Sequence, residues 1–257
     1  MNPVISIKNL QKTYGANIVL RGINLDVEAG KIIGYIGPNG AGKSTTLKIL
    51  TGIIPDFSGE VSVLGMDVRK DPTGVKRCIG FIPENALLYD TLTPMEYLHF
   101  IAQLHNLPAR EMDRKAQDLL NVFGLSSVIH NRMTTFSKGM RQKVLLVAGL
   151  IHNPEIIFLD EPLSGLDTNT VILVKEIMIR LKNEGKTIVY SSHLMDIVEK
   201  ISDQIVLIAK GEVIANGSFE ELKAAQNTSL EQIFAQLTGG SDVQTSNMAG
   251  QFLDALK

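Results

Sequence analysis

Ile32-Ile33-Gly34-Tyr35-Ile36, running straight into Gly37-Pro38-Asn39-Gly40-Ala41-Gly42-Lys43-Ser44-Thr45, is the stretch that decides the fold. Its first five residues are apolar but for one glycine, as in a β-strand covered on both faces. The segment Gly37–Ser44 fits the pattern G-x-x-x-x-G-K-[ST]. A helix is predicted from about Lys43 to Thr51, with Gly52 as its stop. A buried strand, a glycine-rich turn and a helix start, in that order, make a cradle for phosphate. Glycines let backbone N–H groups turn inward around phosphate oxygens, and the helix N-terminus adds positive potential. Lys43 is expected to reach the β- and γ-phosphates and Ser44 to ligate Mg²⁺, with Thr45 completing the loop. The expected ligands are ATP and Mg²⁺. The bland alternative is a glycine-rich turn carrying an exposed lysine, and the flanking strand and helix weigh against it.

Outward from this loop the chain alternates in kind. Ile5 and Ile7, then Ile23, Leu25 and Val27, are spaced as in half-buried strands. Val61–Leu64 and Cys78–Ile82 read as short strands. From Pro94 to Ile151 the signals are almost all helical. Thr93-Pro94 starts one helix, and Pro108 starts another with Leu119, Leu120 and Phe123 on its apolar face and Gly124 as its stop. Ser137 caps a third, running to about His152. Strands return at Ile156–Leu159 and Thr187–Tyr190, around a helix at Asn169–Asn183, which is the parallel strand–helix–strand pattern. Gln204–Ala209 and Glu212–Ala215 flank Lys210-Gly211 as a hairpin, and Ser218 with Glu221 makes a capping box. The stretch Gly239–Lys257 is mostly small and polar and is expected to be loosely attached.

The expected fold is therefore α/β, a P-loop NTPase with a RecA-like parallel core, an N-terminal antiparallel β part and a helical insertion. The expected division is 1–84 plus 152–217 for the ATP-binding core, 85–151 for the helical subdomain, and 218–257 for a C-terminal helix and tail.

Bulk properties narrow the function. The chain has 257 residues, 44% hydrophobic and 20% charged, enough to bury a sizeable core. The net charge of -2 and the absence of a basic run argue against nucleic acid and against anionic lipid. Cys78 is the single cysteine, so no internal disulfide is possible. The start, MNPVISIKNL, does not read as a signal peptide. The longest apolar run, Val144–Ile151, falls well short of the ~20 residues that span a bilayer. Any action at a membrane is expected to be indirect.

The second half of the site follows from Ile156-Ile157-Phe158-Leu159-Asp160-Glu161-Pro162. A carboxylate at the end of a buried strand can hold Mg²⁺, and Asp160 fits that role. Glu161 is then the candidate general base or water-orienting group. Alone, two solvated acids at a strand end would be as good a reading; the loop upstream decides between them.

With these residues in hand, the chain resembles the ABC ATPase family as far as about Gly239. Phe136-Ser137-Lys138-Gly139-Met140-Arg141-Gln142 looks like a variant of the family signature L-S-G-G-Q. Leu163-Ser164-Gly165-Leu166-Asp167 resembles the D-loop, and Ser191-Ser192-His193 resembles the switch-histidine segment. Tyr14 sits where the family places an aromatic that stacks on adenine; it could instead pack on a neighbouring strand. On local evidence Ser137 is a plain helix cap and His193 a structural residue. The resemblance implies more. Ser137, Lys138 and Gly139 would contact ATP held by a second ATPase subunit, a homodimer in preference to a heterodimer. His193 would hold the γ-phosphate, and Asp167 would bridge the two halves. It also implies a multispanning membrane permease that holds the chain at the cytoplasmic face of the membrane, coupled to ATP hydrolysis.

Two departures mark a subgroup. Glu84 replaces the usual glutamine near the start of the insertion and could still ligate Mg²⁺. Lys138 and Met140 replace a glycine and a glutamine of the signature. Both look like the ATPases of exporters that handle drugs, sodium, bacteriocins or polysaccharides. Leu87, Leu88, Tyr89, Met95 and Tyr97 would either line the groove that receives the permease or fill the insertion's own core. Two other functions compete: a soluble ABC protein of translation or DNA repair, and a small-molecule kinase. The second leaves Ser137–Gly139 and Asp167 unexplained.

Overall fold

The computed structural model describes residues 3–84, 88–192, 194–226 and 230–238. The chain opens with a hairpin, β1 (Ile5–Tyr14) and β2 (Asn17–Val27), and passes through β3 (Ile32–Ile36) and α1 (Lys43–Leu50) to β4 (Ser58–Val63) and β5 (Met66–Asp67). A short helix, α2 (Pro72–Cys78), leads into β6 (Ile79–Ile82). The insertion follows as α3 (Pro94–Leu104), α4 (Ala109–Val122) and α5 (Lys138–Leu150). The chain then returns to the sheet through β7 (Ile156–Asp160), α6 (Thr168–Asn183), β8 (Thr187–Ser191), α7 (Met195–Ile201), β9 (Gln204–Ala209) and β10 (Glu212–Gly217). Helices α8 (Phe219–Gln226) and α9 (Leu230–Thr238) come last among the described residues.

Two sheets result. One is antiparallel, in the order β2-β1-β4-β5; the other runs β10-β9-β3-β8-β7-β6, parallel throughout except for the edge strand β10. Strands β3, β7 and β8 are buried along their whole length, which is why they read as unbroken apolar runs. Successive side chains of a strand point to opposite faces, and the two apolar cores divide accordingly. Ile33, Tyr35, Phe158, Val189, Val206 and Ile208 face α1 and the antiparallel sheet. Ile32, Ile36, Ile157, Leu159, Ile188 and Leu207 face the insertion, α6 and α7. In β1 the alternation slips once. Asn9 takes φ 49°, the register with β2 shifts between Ile7 and Leu10, and Leu10 lands inside.

The helix ends follow their sequence signals. Thr93 and Glu96 form a reciprocal capping box at α3, Ser137 caps α5, and Ser218 and Glu221 exchange the same pair of bonds at α8. Gly52 and Gly124 take positive φ just past α1 and α4. Helices α2 and α7 are absent from the sequence reading, and where one C-terminal helix was expected the structure has two, α8 and α9. Cys78 ends α2 rather than starting β6. Of the five apolar residues placed at a permease groove or in the core, Met95 (8% exposed) and Tyr97 (9%) lie in the insertion's core, which corrects the groove reading for both. Leu88 is half-buried against that core, while Tyr89 is exposed and meets the Phe100 ring edge-on at 5.6 Å. Leu87 lies outside the described residues, as does the stretch 239–257. Among the described residues no helix is long and apolar enough to cross a membrane.

Behind the insertion, His105 at the C-terminus of α3 stacks on His152 with ring centroids 3.7 Å apart. His152 Nε2 lies 2.9 Å from the Ile79 carbonyl, so Nε2 carries the proton and Nδ1 is a buried lone pair with no partner. Burial pushes the His152 pKa down to about 4, with His105, Lys115 and Lys186 adding to the effect. The folded state therefore holds a neutral ring, while the unfolded chain takes up a proton near the ordinary histidine value of about 6.5. The stabilising contribution is complete above that value and is lost as pH falls toward 4. Thermal unfolding measured from pH 7 to 5 should show a falling midpoint, and His152→Asn should flatten that slope. Equal slopes in both proteins would place its origin elsewhere.

Candidate functional site

In a parallel sheet the C-terminal ends of all strands face one way, and ligands bind in the crevice beyond them. Here the loop after β3 and the carboxylates at the end of β7 meet in a cleft of about 600 Å³. It gathers Asn39, Gly40, Gly42, Lys43, Ser44 and Thr45 of the loop, the three acids Glu84, Asp160 and Glu161, and Asn17 and Val19 of β2.

Gly37, Pro38 and Ala41 shape the loop rather than line the cleft. A Cβ on Gly37 would come 2.2 Å from the Ile208 carbonyl oxygen, so only glycine lets the loop lie against β9. Gly42 has φ 107°, and a Cβ there would meet Leu20 Cδ2 at 2.4 Å. Gly42 is also the N-cap of α1, which has no side-chain cap and no acid in its first turn. Its leading N–H groups are thus left to an anion. Lys43 is only 8% exposed, and its Nζ donates to the carbonyls of Gly37 at 2.7 Å and Pro38 at 3.3 Å.

The donor set fits a polyphosphate with a divalent cation. An ammonium that deep calls for an anionic partner, and α1 offers open N–H groups beside it. Three acids share the cleft with Lys43, and a polyphosphate alone would deepen their negative charge; a divalent cation between them relieves it. Among the described residues no group of three or more His, Cys, Asp or Glu is arranged to hold a metal. Mg²⁺ keeps several waters and takes one or two protein carboxylates together with substrate phosphates, a number the acids of the cleft supply.

The two consecutive acids are held differently. Asp160 is 3% exposed and its Oδ1 accepts a 2.6 Å bond from Ser191 Oγ. Glu161 leaves the strand with φ 49°, in the left-handed region, which costs a non-glycine residue on the order of 1 kcal/mol. Its N–H donates to the same Ser191 Oγ at 3.0 Å. Glu84 is exposed at the cleft.

Other residues singled out in the sequence lie outside the cleft. Tyr14 ends β1 opposite Asn17 of β2 and is about half exposed, with Lys12 Nζ 4.7 Å from its ring centroid. Lys12 itself is buried and pairs with Asp56 at 2.9 Å. Ser137 Oγ accepts from the Met140 N–H at 3.2 Å, and Ser137 and Lys138 are exposed. The Lys138 stem lies across Gly165, whose Cβ would sit 3.2 Å from Lys138 Cδ. Asp167 caps α6, accepting from Thr170 N at 3.0 Å and Thr170 Oγ1 at 2.6 Å, and pairs with Lys143 at 3.5 Å. The Thr170 bonds, helped by Lys143, hold its carboxyl down at about 2. Gln142 Nε2 donates to the Pro162 carbonyl at 3.3 Å. The start of α5 is thus tied to the segment after Glu161 by Lys138, Gln142 and Lys143. His193 lies outside the described residues. The sequence reading quoted Ser191 and Gln142 within their motifs without giving either a role, and did not name Lys143; the signal for Gln142 and Lys143 was their place one turn into the signature helix.

The sequence profile described as ABC transporter matches residues 20–164. The chain is 38% identical to the ABC transporter ATP-binding protein NatA of Bacillus subtilis, covering 84% of this chain and 88% of that protein. It is 35% identical to the linearmycin resistance ATP-binding protein LnrL of the same organism, over 85% of this chain and 70% of that one. Among solved structures, an ATP-binding subunit of an ABC transporter superposes with a TM-score of 0.86 at 32% identity, covering 91% of this chain and 99% of that one. A dimeric ATP-binding cassette in a post-hydrolysis state, bound to ADP and Pi, superposes with a TM-score of 0.78 at 25% identity, covering 83% and 98%. The chain belongs to the ABC transporter family, as an ATP-binding subunit. It is an ATPase that uses Mg²⁺ and carries the P-loop nucleotide-binding fold.

Proposed function

We propose that this subunit powers export. It hydrolyses ATP in a site completed by a second copy of the chain, and a separate multispanning permease holds it at the cytoplasmic face of the membrane. The observation that carries the two-chain site is the exposed start of α5. Ser137, Lys138 and Gly139 lie outside their own cleft, although the cleft holds the loop, Lys43 and three acids. Export is supported by relatives. LnrL is named for linearmycin resistance, and the Escherichia coli protein YbhF, named a probable multidrug ABC transporter ATP-binding protein, is 34% identical over 95% of this chain, which spans 43% of YbhF.

The roles follow from the chemistry of each group. Gly37–Thr45 wraps the phosphates and Lys43 neutralises the β- and γ-oxygens. Ser44, Asp160 and Glu84 would hold Mg²⁺, whose positive charge would offset the negative charge of the phosphates. Glu161 takes a proton from the attacking water as its oxygen bonds to the γ-phosphorus. The bond from that phosphorus to the bridging oxygen breaks, releasing ADP and phosphate. His193 steadies the γ-phosphate, Ser137, Lys138 and Gly139 reach the ATP of the partner, and Asp167 stands between the halves. The subdivision into 1–84 plus 152–217, 85–151 and 218–257 belongs to the same reading. It is supported by the packing of α3, α4 and α5 on one another.

Tyr14 takes the adenine face. Tyr14→Ala should weaken ATP binding by roughly 2- to 10-fold, the value of one aromatic stack, while Tyr14→Phe should bind as the parent does. Unchanged affinity in Tyr14→Ala, by titration with a fluorescent ATP analogue, would put the base elsewhere. For the whole assembly, the tagged chain extracted from detergent-solubilised membranes should retain a multispanning protein that alters its ATP turnover. Recovery of ribosomes or DNA-repair proteins instead would overturn the transporter reading.

A further inference from the structure

We propose that Ser191 is a positioning residue for hydrolysis, holding the two consecutive acids of the cleft through one hydroxyl. This rests on the reading of Asp160 and Glu161 as the metal-binding and water-activating groups. Strands β7 and β8 are parallel neighbours, and the last pair in their register is Asp160 opposite Ser191. That register sets the serine beside the aspartate at the point where the ladder ends and Glu161 turns away. Ser191 is fully buried, at 0% exposure. A serine hydroxyl has one hydrogen to give and two lone pairs to offer. Here the hydrogen goes to Asp160 Oδ1 at 2.6 Å, within the short range of a charge-assisted bond, and a lone pair receives the Glu161 N–H at 3.0 Å.

The consequences differ for the two acids. Asp160 has one oxygen fixed inside the protein, which sets the plane of the carboxylate that faces the cleft. Glu161 has its backbone held in the left-handed region at φ 49°, past the end of the sheet ladder, by a side chain rather than by a strand. The aim of its side chain follows from that backbone angle. Because Ser191 is the last residue of β8, the two acids are also tied to the end of that strand. Removing the hydroxyl deprives a buried carboxylate of its donor and a backbone N–H of its acceptor, while leaving every group that touches ATP in place.

The test uses the purified full chain. Ser191→Ala should lower kcat by about 10- to 100-fold, the usual effect of losing a supporting hydrogen bond behind a metal-binding group. The Mg²⁺ concentration for half-maximal turnover should rise, and affinity for a non-hydrolysable ATP analogue should stay within about twofold, since only interactions realised during reaction are lost. Ser191→Thr and Ser191→Val have the same shape and differ by the hydroxyl, so Ser191→Thr should recover turnover and Ser191→Val should not. Equal impairment of those two variants would assign the effect to packing and overturn the proposal. So would normal turnover and normal Mg²⁺ dependence in Ser191→Ala. Glu161→Gln is measured in parallel. If it hydrolyses normally, the reading of the acids fails; if it is inactive while Ser191→Ala is normal, the role of Ser191 alone fails.

Discussion

Glu161→Gln is expected to bind ATP with unchanged affinity and to lose turnover by about 10²- to 10⁴-fold, the contribution of a positioned general base. The amide has the size of the carboxylate, and the backbone bond from residue 161 to Ser191 Oγ does not depend on the side chain, so the left-handed turn after β7 persists. What disappears is the ability to accept a proton from water. The substitution also removes one of three negative charges from the cleft, which favours the polyanion and works against any fall in affinity. Single-turnover hydrolysis and analogue binding, measured on the same preparation, separate the two effects. Turnover near that of the parent would remove Glu161 from the chemistry and leave Asp160 and Glu84 as the remaining acids of the cleft.

Lys43→Ala should act on the other quantity. Hydrogen bonds to charged groups contribute about 1.5–3 kcal/mol each, so losing the ammonium should weaken ATP binding by roughly 10- to 100-fold before any step of reaction. The loop suffers as well. Nζ ties the carbonyls of Gly37 and Pro38 together, and without it the loop has fewer constraints in the absence of nucleotide. Lys43→Met separates these contributions, because it keeps most of the stem that fills an 8% exposed position and deletes only the charge. Both variants should lose affinity. An unchanged dissociation constant in either would end the assignment of the loop as a phosphate cradle.

Which features were legible in the sequence follows from where their causes lie. The loop, the strand before it and α1 were readable because glycine, lysine and an apolar run are local requirements of one backbone path. The acids at the end of β7 were readable because they break off an unbroken apolar run at its C-terminal end. Helices α2 and α7 were missed because at seven residues each they show too few turns for a 3.6-residue period. The cap of α2 was present all the same, in Asp71 accepting from Gly74 N with Pro72 behind it. Met95 and Tyr97 could not be told from exposed apolar residues, since their burial depends on α4 and α5 closing over α3. Ser191 was quoted only as a neighbour of His193. Its bond to Asp160 comes from a strand register with a sixteen-residue helix between the partners, and no local pattern encodes it.

The position of β3 has a bearing on how the protein is made. The loop-bearing strand lies between β8 and β9, and both arrive late. The Gly30 N–H bonds Thr187 Oγ1 157 residues downstream, and the Ile32 N–H bonds Asp203 Oδ2 171 residues downstream. At translation speeds of about 5–20 residues per second, β3 waits on the order of 10–30 s on the ribosome with its hydrogen-bonding edges unpaired. During that interval α1 and the antiparallel strands β1, β2 and β4 are already made and can cover one face of the strand, but they do not pair its edges. A nascent chain stalled before Thr187 would therefore carry the whole phosphate loop and still be a candidate for chaperones, not a nucleotide-binding unit.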